Sequence, residues 1–329
     1  MKIALIGPGI MSIPPTGWGA VEILIWDYAT ILREKGHQVD ILNEIRSSPA
    51  DQSTPYTPYC QRLIEKINMG DYDFVHLHYD CLFHIMMYLI CPKKAITSHY
   101  PYIDQPEKHR GDGYSAIFEG ICQNETHEIF ALSQKDYAVF EKNCQNPAQI
   151  FLMLNGANEK EITPNENPSM SEKSIYLAKI ESRKKQHFYS QLPGIDFYGK
   201  CDDVSFKHLV CYKGEIEGHQ NMMNLLSEYG NFVLLSDGEN GTPLVIKEAL
   251  MAGLPIVTNG YCSDDLDVSL PFIDIIPNDK LQDLEYIGRI IEENRKKQTM
   301  KKEIRQYAET HFSWSVLVDT YLKNVSSIL

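Results

Sequence analysis

The sequence predicts an α/β protein built from two doubly wound parallel sheets in tandem. Three observations carry this reading. Short β-branched runs alternate with helix-period segments along the chain. A polar stretch rich in Asn and Pro, without period, divides it near the middle. With 329 residues, two domains can each bury a core.

The first element, "KIALIG", is a strand, and "GAVEILIWDYATILREKGHQ" has helical spacing at Ile23, Leu24, Tyr28, Ile31 and Leu32, with Gly36 as its stop. Strands "HQVDIL" and "DFVHLH", the helical "CLFHIMMYLI", strands "KAITSH" and "EIFALS", the helical "QKDYAVFEKN" and strand "QIFLML" complete a first domain over 1–154. Residues 155–173, "NGANEKEITPNENPSMSEK", read as a linker. A second series over 174–312 has strands "SIYLAK", "GIDFYG", "HLVCYKG", "NFVLLS" and "LPIVTN". The last helical patterns are "LEYIGRIIEENRKKQ", "KKEIRQYAETHF" and "SWSVLVDTYLKNV". Two open sheets in tandem put a ligand cleft between domains, at carboxyl ends of strands.

A net charge of −13, from 31 basic and 44 acidic residues, argues against nucleic acid as a partner, because phosphate contacts need a basic face. No run reaches the eighteen or so apolar residues of a transmembrane segment. The apolar run at the N-terminus is too short for a signal-peptide core, and Pro14-Pro15 keeps it from extending as a helix. Eight cysteines without a Cys-x-x-Cys pair read as reduced thiols in a cytoplasmic chain, so the sequons at Asn124 and Asn324 are expected to stay unmodified. No metal site is expected. His76 and His78 share one face of a strand and read as one core and one cleft histidine; with His84 and His99 they lack the spacing of a metal set. Asp71–Asp73 reads as a turn before a strand. The basic run 294–305 reads as a solvated helix face.

"GPGIMS" near the N-terminus mimics a dinucleotide fingerprint, but Ser12 replaces the third glycine, and Pro14 and Pro15 forbid a helix start there. Gly7 and Gly9 are expected to close a turn. Gly17 and Gly19 lead directly into the helix, where free amides and close backbone approach suit an anion.

"NFVLLSDGENGTPLVIKEALMAGLPIV" is the most specific text. A strand ends at Ser236, a Gly loop follows, and Thr242 and Pro243 read as cap and first helical residue. Glu248 then lies in the helix beneath the loop, where a carboxylate can accept from two neighbouring hydroxyls such as those of a ribose. Gly253 ends the helix.

This stretch resembles the signature Glu-Gly-x-Pro-Leu-x-x-x-Glu-Ala of the retaining nucleotide-sugar glycosyltransferases of family 4, which have the GT-B fold of two Rossmann-like domains and an interdomain cleft. Asn240, Gly241, Thr242, Pro243, Leu244 and Glu248 fall on its positions. "IYLAKIESRKKQ" resembles the family's Gly-Arg-x-x-x-x-Lys-Gly loop, with Lys179 for the arginine, Lys184 on the lysine, and Ala178 and Lys185 for the glycines. Gly19 and Ala20 fall on the glycine pair of its Gly-Gly-x-Glu loop, and His99 on its strand-end histidine.

The resemblance implies a hexosyltransferase of glycan biosynthesis, moving sugar with retention from UDP-sugar or GDP-sugar to a glycan or other hydroxyl acceptor, with no metal required. It implies donor binding by Gly19, Ala20, Gly241, Thr242, Pro243, Leu244 and Glu248. Catalytic roles fall on His99, Lys179, Lys184 and Asn240, with the two lysines facing the leaving diphosphate. It also implies that the helix over 313–329 packs back on the first domain. Asn240 stands where the family has a glutamate, and Glu239 lies one position off. That substitution supports a rival class: a nucleotide-sugar-binding protein that no longer transfers, in a structural or regulatory role. A nucleotide-sugar epimerase is a third option, with no base to assign. Tyrosines in 44–59 and 100–113 suit acceptor sugar faces.

Overall fold

The computed structural model describes all residues except Trp18, Asn124, Glu125, Pro147, Ala148 and Leu329. The sequon at Asn124 therefore lies outside the described residues. The chain forms two compact units. One comprises 1–15, 19–154 and 314–329; the other comprises 16–18 and 155–313.

The first unit holds a six-stranded parallel sheet of β1 (Lys2–Ile6), β2 (Gln38–Leu42), β3 (Phe74–Leu77), β4 (Lys94–Ile96), β5 (Glu128–Ala131) and β6 (Ile150–Leu152), ordered β2-β1-β3-β4-β5-β6. β1 and β3 are buried on both faces, His76 being the one polar side chain of β3, because helices cover both sides. The helices are α1 (Ala20–Glu34), α2 (Pro58–Met69), α3 (Pro106–Asp112), α4 (Ser115–Gln123) and α5 (Gln134–Asn143). "CLFHIMMYLI" is mostly a 3₁₀ helix over Asp80–Tyr88, not an α-helix. Its fully buried Leu82 and Ile85 are three apart, the spacing that tighter helix stacks on one side. Two segments read as loops contain helix. α2 starts at Pro58 behind the Thr57 cap, whose hydroxyl accepts from the Cys60 amide, and α3 runs from Pro106 to a stop at left-handed Gly113.

The second unit holds β7 (Met170–Leu177), β8 (Ile195–Tyr198), β9 (Tyr212–Gly214), β10 (Tyr229–Val233), β11 (Ile256–Asn259) and β12 (Ile273–Ile276), ordered β12-β11-β10-β7-β8-β9, again all parallel. Its helices are α6 (Gln186–Tyr189), α7 (Val204–Lys207), α8 (His219–Leu226), α9 (Leu244–Met251), α10 (Leu284–Arg295) and α11 (Lys301–Phe312). β7 begins at Met170, four residues before the expected strand, and the stretch ahead of it is pinned rather than loose. The Arg305 guanidinium donates to the carbonyls of Glu159 (2.7 Å), Ile162 (2.7 Å) and Met251 (2.6 Å). Lys301 donates to the Asn165 carbonyl, and the Glu228 carboxylate accepts from Asn165 and Ser169. The basic run is thus only partly a solvated face: Lys296 and Lys302 are exposed, but Lys301 and Arg305 satisfy carbonyls of the 155–169 backbone, which has no sheet ladder of its own.

The last helix, α12 (Trp314–Ser327), belongs to the first unit. The Trp314 indole donates to buried Asp27 of α1 at 2.9 Å, and Tyr28 meets the Trp314 and Tyr321 rings at 4.7 and 5.0 Å. Asn324 donates to the Leu152 carbonyl, so its amide serves β6. Among the described residues no helix is long and apolar enough to cross a membrane.

Replacing Arg305 by Met strands three carbonyls and is expected to cost about 2–4 kcal/mol. The urea midpoint measures it; a shift under about 0.5 kcal/mol means water serves those carbonyls equally well.

Candidate functional site

Each sheet reverses its strand order once, between β1 and β3 in the first unit and between β7 and β10 in the second. Loops leaving the carboxyl ends of such strands diverge and open a crevice. In the second unit the buried Tyr176 hydroxyl donates across that point to the Leu235 carbonyl (2.7 Å), with the Lys184 carbonyl at 2.9 Å, locking the two loops together.

The loop after β7 carries the basic residues. Half-buried Lys179 opens it, and its carbonyl accepts from Gln186, whose own amide oxygen takes the Glu181 N–H. The Lys184 ammonium lies 3.7 Å from Glu181 and 3.8 Å from Glu239. Arg183, which sequence reasoning passed over, is more tightly engaged: it meets Glu239 at 2.6 Å and Glu181 at 2.8 Å, and donates to the Gly238 carbonyl. Lys185 stands in place of the family glycine and adopts the left-handed conformation (φ 47°) that glycine favours. Its ammonium pairs with Asp237 at 2.8 Å.

The loop after β10 runs from Ser236 to Pro243. Pro243, not Thr242, occupies the N-cap of α9, and Leu244 is its first helical residue. The Thr242 hydroxyl is used elsewhere: it accepts from the Asp265 amide at 3.1 Å, while the Thr242 amide faces the Asp265 carboxylate at 3.3 Å. Asp265 in turn pairs with Lys247 at 3.0 Å, both side chains almost wholly buried. The Lys247 ammonium also donates to the Asn155 carbonyl at 2.7 Å. Burial pulls its pKa below the ordinary lysine value, against the opposing pull of Asp265.

Glu248, the next residue, is buried and accepts from the His219 imidazole at 2.7 Å. The other ring nitrogen of His219 faces Glu161 at 3.4 Å. Sequence reading missed His219; Gly218, with φ 84° just before α8, was the available signal that something is placed there. Asn240 is half-buried beside left-handed Gly241 (φ 67°), whereas Glu239 is turned to Arg183 and Lys184.

In the first unit the Asn43 side chain accepts from the Gly9 amide (2.8 Å) and donates to the Met11 carbonyl (2.7 Å), which makes the early glycines a closed turn. Gly19 (φ 138°) is the N-cap of α1, Ala20 its first residue, and Glu22 is buried in the first turn with its carboxyl pKa raised by desolvation. His99 is half-buried, but its Nε2 is fully buried without a hydrogen-bond partner among the described residues. Burial lowers its pKa to about 4. His76 and His78 are both buried, so neither is exposed as a cleft histidine would be. His76 bonds Thr97 and Tyr321, and its pKa falls to about 3 by desolvation and the neighbouring His99. Both nitrogens of His78 lack a partner among the described residues. Asp73 accepts from the Lys2 amide at 2.6 Å, and Asp71 takes a left-handed turn conformation (φ 49°). Among the described residues no three His, Cys, Asp or Glu side chains converge as a metal set.

No protein-family model matches the sequence. No curated protein matches it by sequence. Solved structures match along nearly its whole length. WaaG, a glycosyltransferase involved in lipopolysaccharide biosynthesis, is 14% identical with a TM-score of 0.74, over 99% of this chain and 100% of that one. HepE of Anabaena, in complex with UDP-glucose, is 15% identical with a TM-score of 0.73, over 99% and 100%. The sucrose-phosphate synthase of Thermosynechococcus elongatus is 17% identical with a TM-score of 0.74, over 98% and 97%. The two six-stranded parallel sheets with flanking helices are those of GT-B glycosyltransferases, and the chain has the GT-B fold.

Lys247→Met leaves Asp265 buried and unpaired, an expected loss of about 3–5 kcal/mol, and the added Asp265→Asn should return at least half. Equal losses in the single and double variants would remove the ion pair from the account. The buried histidines give a pH prediction. The unfolded chain takes up their protons near pH 6.5, whereas the folded His99 and His76 wait until about pH 4 and 3. Their contribution is therefore complete above about pH 6.5 and lost as pH falls through that window. Urea midpoints between about pH 7 and pH 5 should fall less for His99→Gln than for the wild type. Parallel profiles would contradict it.

Proposed function

We propose that the chain is a retaining glycosyltransferase of the family 4 type, moving a hexose from a nucleoside diphosphate to an acceptor hydroxyl without a metal. One observation carries this reading. Arg183 and Lys184 lie on the loop after β7 and Glu248 on the helix that the β10 loop leads into, and those two loops leave the adjacent strands at the switch point of one sheet. A nucleoside diphosphate needs that pairing of groups: cations for the phosphates, and a carboxylate for the ribose hydroxyls. HepE, bound to UDP-glucose, makes uridine the first donor to try.

In this reading the bond between the sugar anomeric carbon and the diphosphate oxygen breaks, and Lys179, Lys184, Arg183 and the first amides of α9 hold the charge that gathers on the diphosphate. The acceptor oxygen attacks from the same face and its proton passes to a departing phosphate oxygen. Asn240 hydrogen-bonds sugar hydroxyls, and Gly241, Thr242, Pro243 and Leu244 shape the donor loop. In the first unit His99, Gly19 and Ala20 are assigned to the transfer by resemblance alone. A binding protein without turnover is the second reading, favoured by Asn240 where a carboxylate is usual.

Thermal shift with UDP, GDP, ADP and CMP tests the site, since a ligand at a hundredfold its Kd adds about 2.7 kcal/mol. UDP or GDP should stabilise the chain, and Lys184→Ala should weaken that nucleotide about tenfold or more. The matching sugar conjugate should be hydrolysed slowly, unaffected by EDTA. Binding with every conjugate left intact in mixed acceptors selects the second reading. No shift with any nucleotide ends both.

A further inference from the structure

We propose that His219 is a positioning residue of the donor site, fixing Glu248 in the one orientation that accepts from both ribose hydroxyls. The inference rests on the donor site proposed above. Glu248 has three rotatable side-chain bonds, and gripping a vicinal diol demands a single setting of them. The imidazole Nε2 donates to Oε1 at 2.7 Å, the length of a charge-assisted bond, with the His219 side chain 18% and the Glu248 side chain 9% exposed. Oε2 and the second lone pair of Oε1 then remain for the ligand.

The histidine is itself held. It is the first residue of α8, behind Gly218 in a conformation that strains any side chain, and the Gly218 amide is tied to the Thr16 carbonyl at 2.7 Å. Its Nδ1 faces Glu161, on the segment that Arg305 clamps through the carbonyls of Glu159 and Ile162. The imidazole thus links the clamped segment and α8 to the ribose carboxylate on α9. A carboxylate only accepts, and the contact to Glu248 (2.7 Å) is shorter than that to Glu161 (3.4 Å), which puts the proton on Nε2 toward Glu248. Glutamine can place an amide N–H close to that nitrogen, whereas alanine and methionine offer no donor.

The test is calorimetric titration of UDP and 2′-deoxy-UDP into wild type, His219→Ala, His219→Met and His219→Gln. The deoxy nucleotide lacks one hydroxyl that Glu248 would hold, so its affinity depends less on the carboxylate's orientation. His219→Ala is expected to weaken UDP about tenfold and 2′-deoxy-UDP by no more than about twofold, and His219→Gln to restore most of the difference. His219→Met carries the same comparison should the alanine variant not fold. Equal loss for both nucleotides makes His219 a packing residue and overturns the proposal; so does unchanged UDP affinity in His219→Ala. A wild type that binds neither UDP nor GDP instead overturns the donor site, whatever the variants do.

Discussion

The second unit depends on the buried pair between Lys247 and Asp265. Neither charge has water to fall back on: the lysine meets two acceptors and Oδ2 of the aspartate two donors, while its Oδ1 has no hydrogen-bond partner among the described residues. The lysine reaches the Asn155 carbonyl, where the chain enters this unit, and the aspartate reaches the amide of Thr242, just before α9. The loop after β10, the helix behind it and the segment leading to β7 are thereby fixed to one another, and Glu248 is the next residue along the same helix. The position of Glu248 is therefore set by a contact that tolerates little movement.

The loop after β7 has the opposite character. Its cations are matched by carboxylates that are only partly buried: Arg183 and Lys184 share Glu181 and Glu239, and Lys185 holds Asp237. Neither Arg183 nor Lys184 has a carboxylate to itself, unlike the closed pair of Lys247 and Asp265. In the structure these carboxylates hold the cationic loop in a defined arrangement; in the donor site proposed above, a diphosphate would compete with them for the same cations.

The strands and their alternation with helices were readable because parallel strands buried on both faces leave mostly apolar text, as in "IALI" of β1; their order in the sheets was not. Glu248 and Lys184 were singled out by motif spacing, and the structure puts them on the segments that follow the adjacent strands β10 and β7. Less was visible wherever partners come from remote positions. Nothing local in "NRKKQTMKKEIR" says that two of its cations, Lys301 and Arg305, turn inward to carbonyls some 140 residues earlier in the chain; Lys301 to Asn165 spans 136 positions. His219 reads as an ordinary helix-start residue until α9 is placed beside it. Glu239 lies one position out of frame with the motif and Arg183 sits beside the lysine that matches it, so no motif marks them, yet they form one pair. The Thr242 cap failed for the same reason: a hydroxyl with a standard local use was taken by Asp265, 23 residues on.

The return of α12 to the first unit sets an order on biosynthesis. Residues 314–327 leave the ribosome only after the whole of 155–313, so the buried face of α1, with Asp27 and Tyr28, stays uncovered while the second unit is made. The unit that begins first is therefore finished last. During that interval a nascent chain exposes an aspartate and an aromatic face that Trp314 and Tyr321 later hide, a surface suited to a chaperone that binds apolar segments until translation catches up.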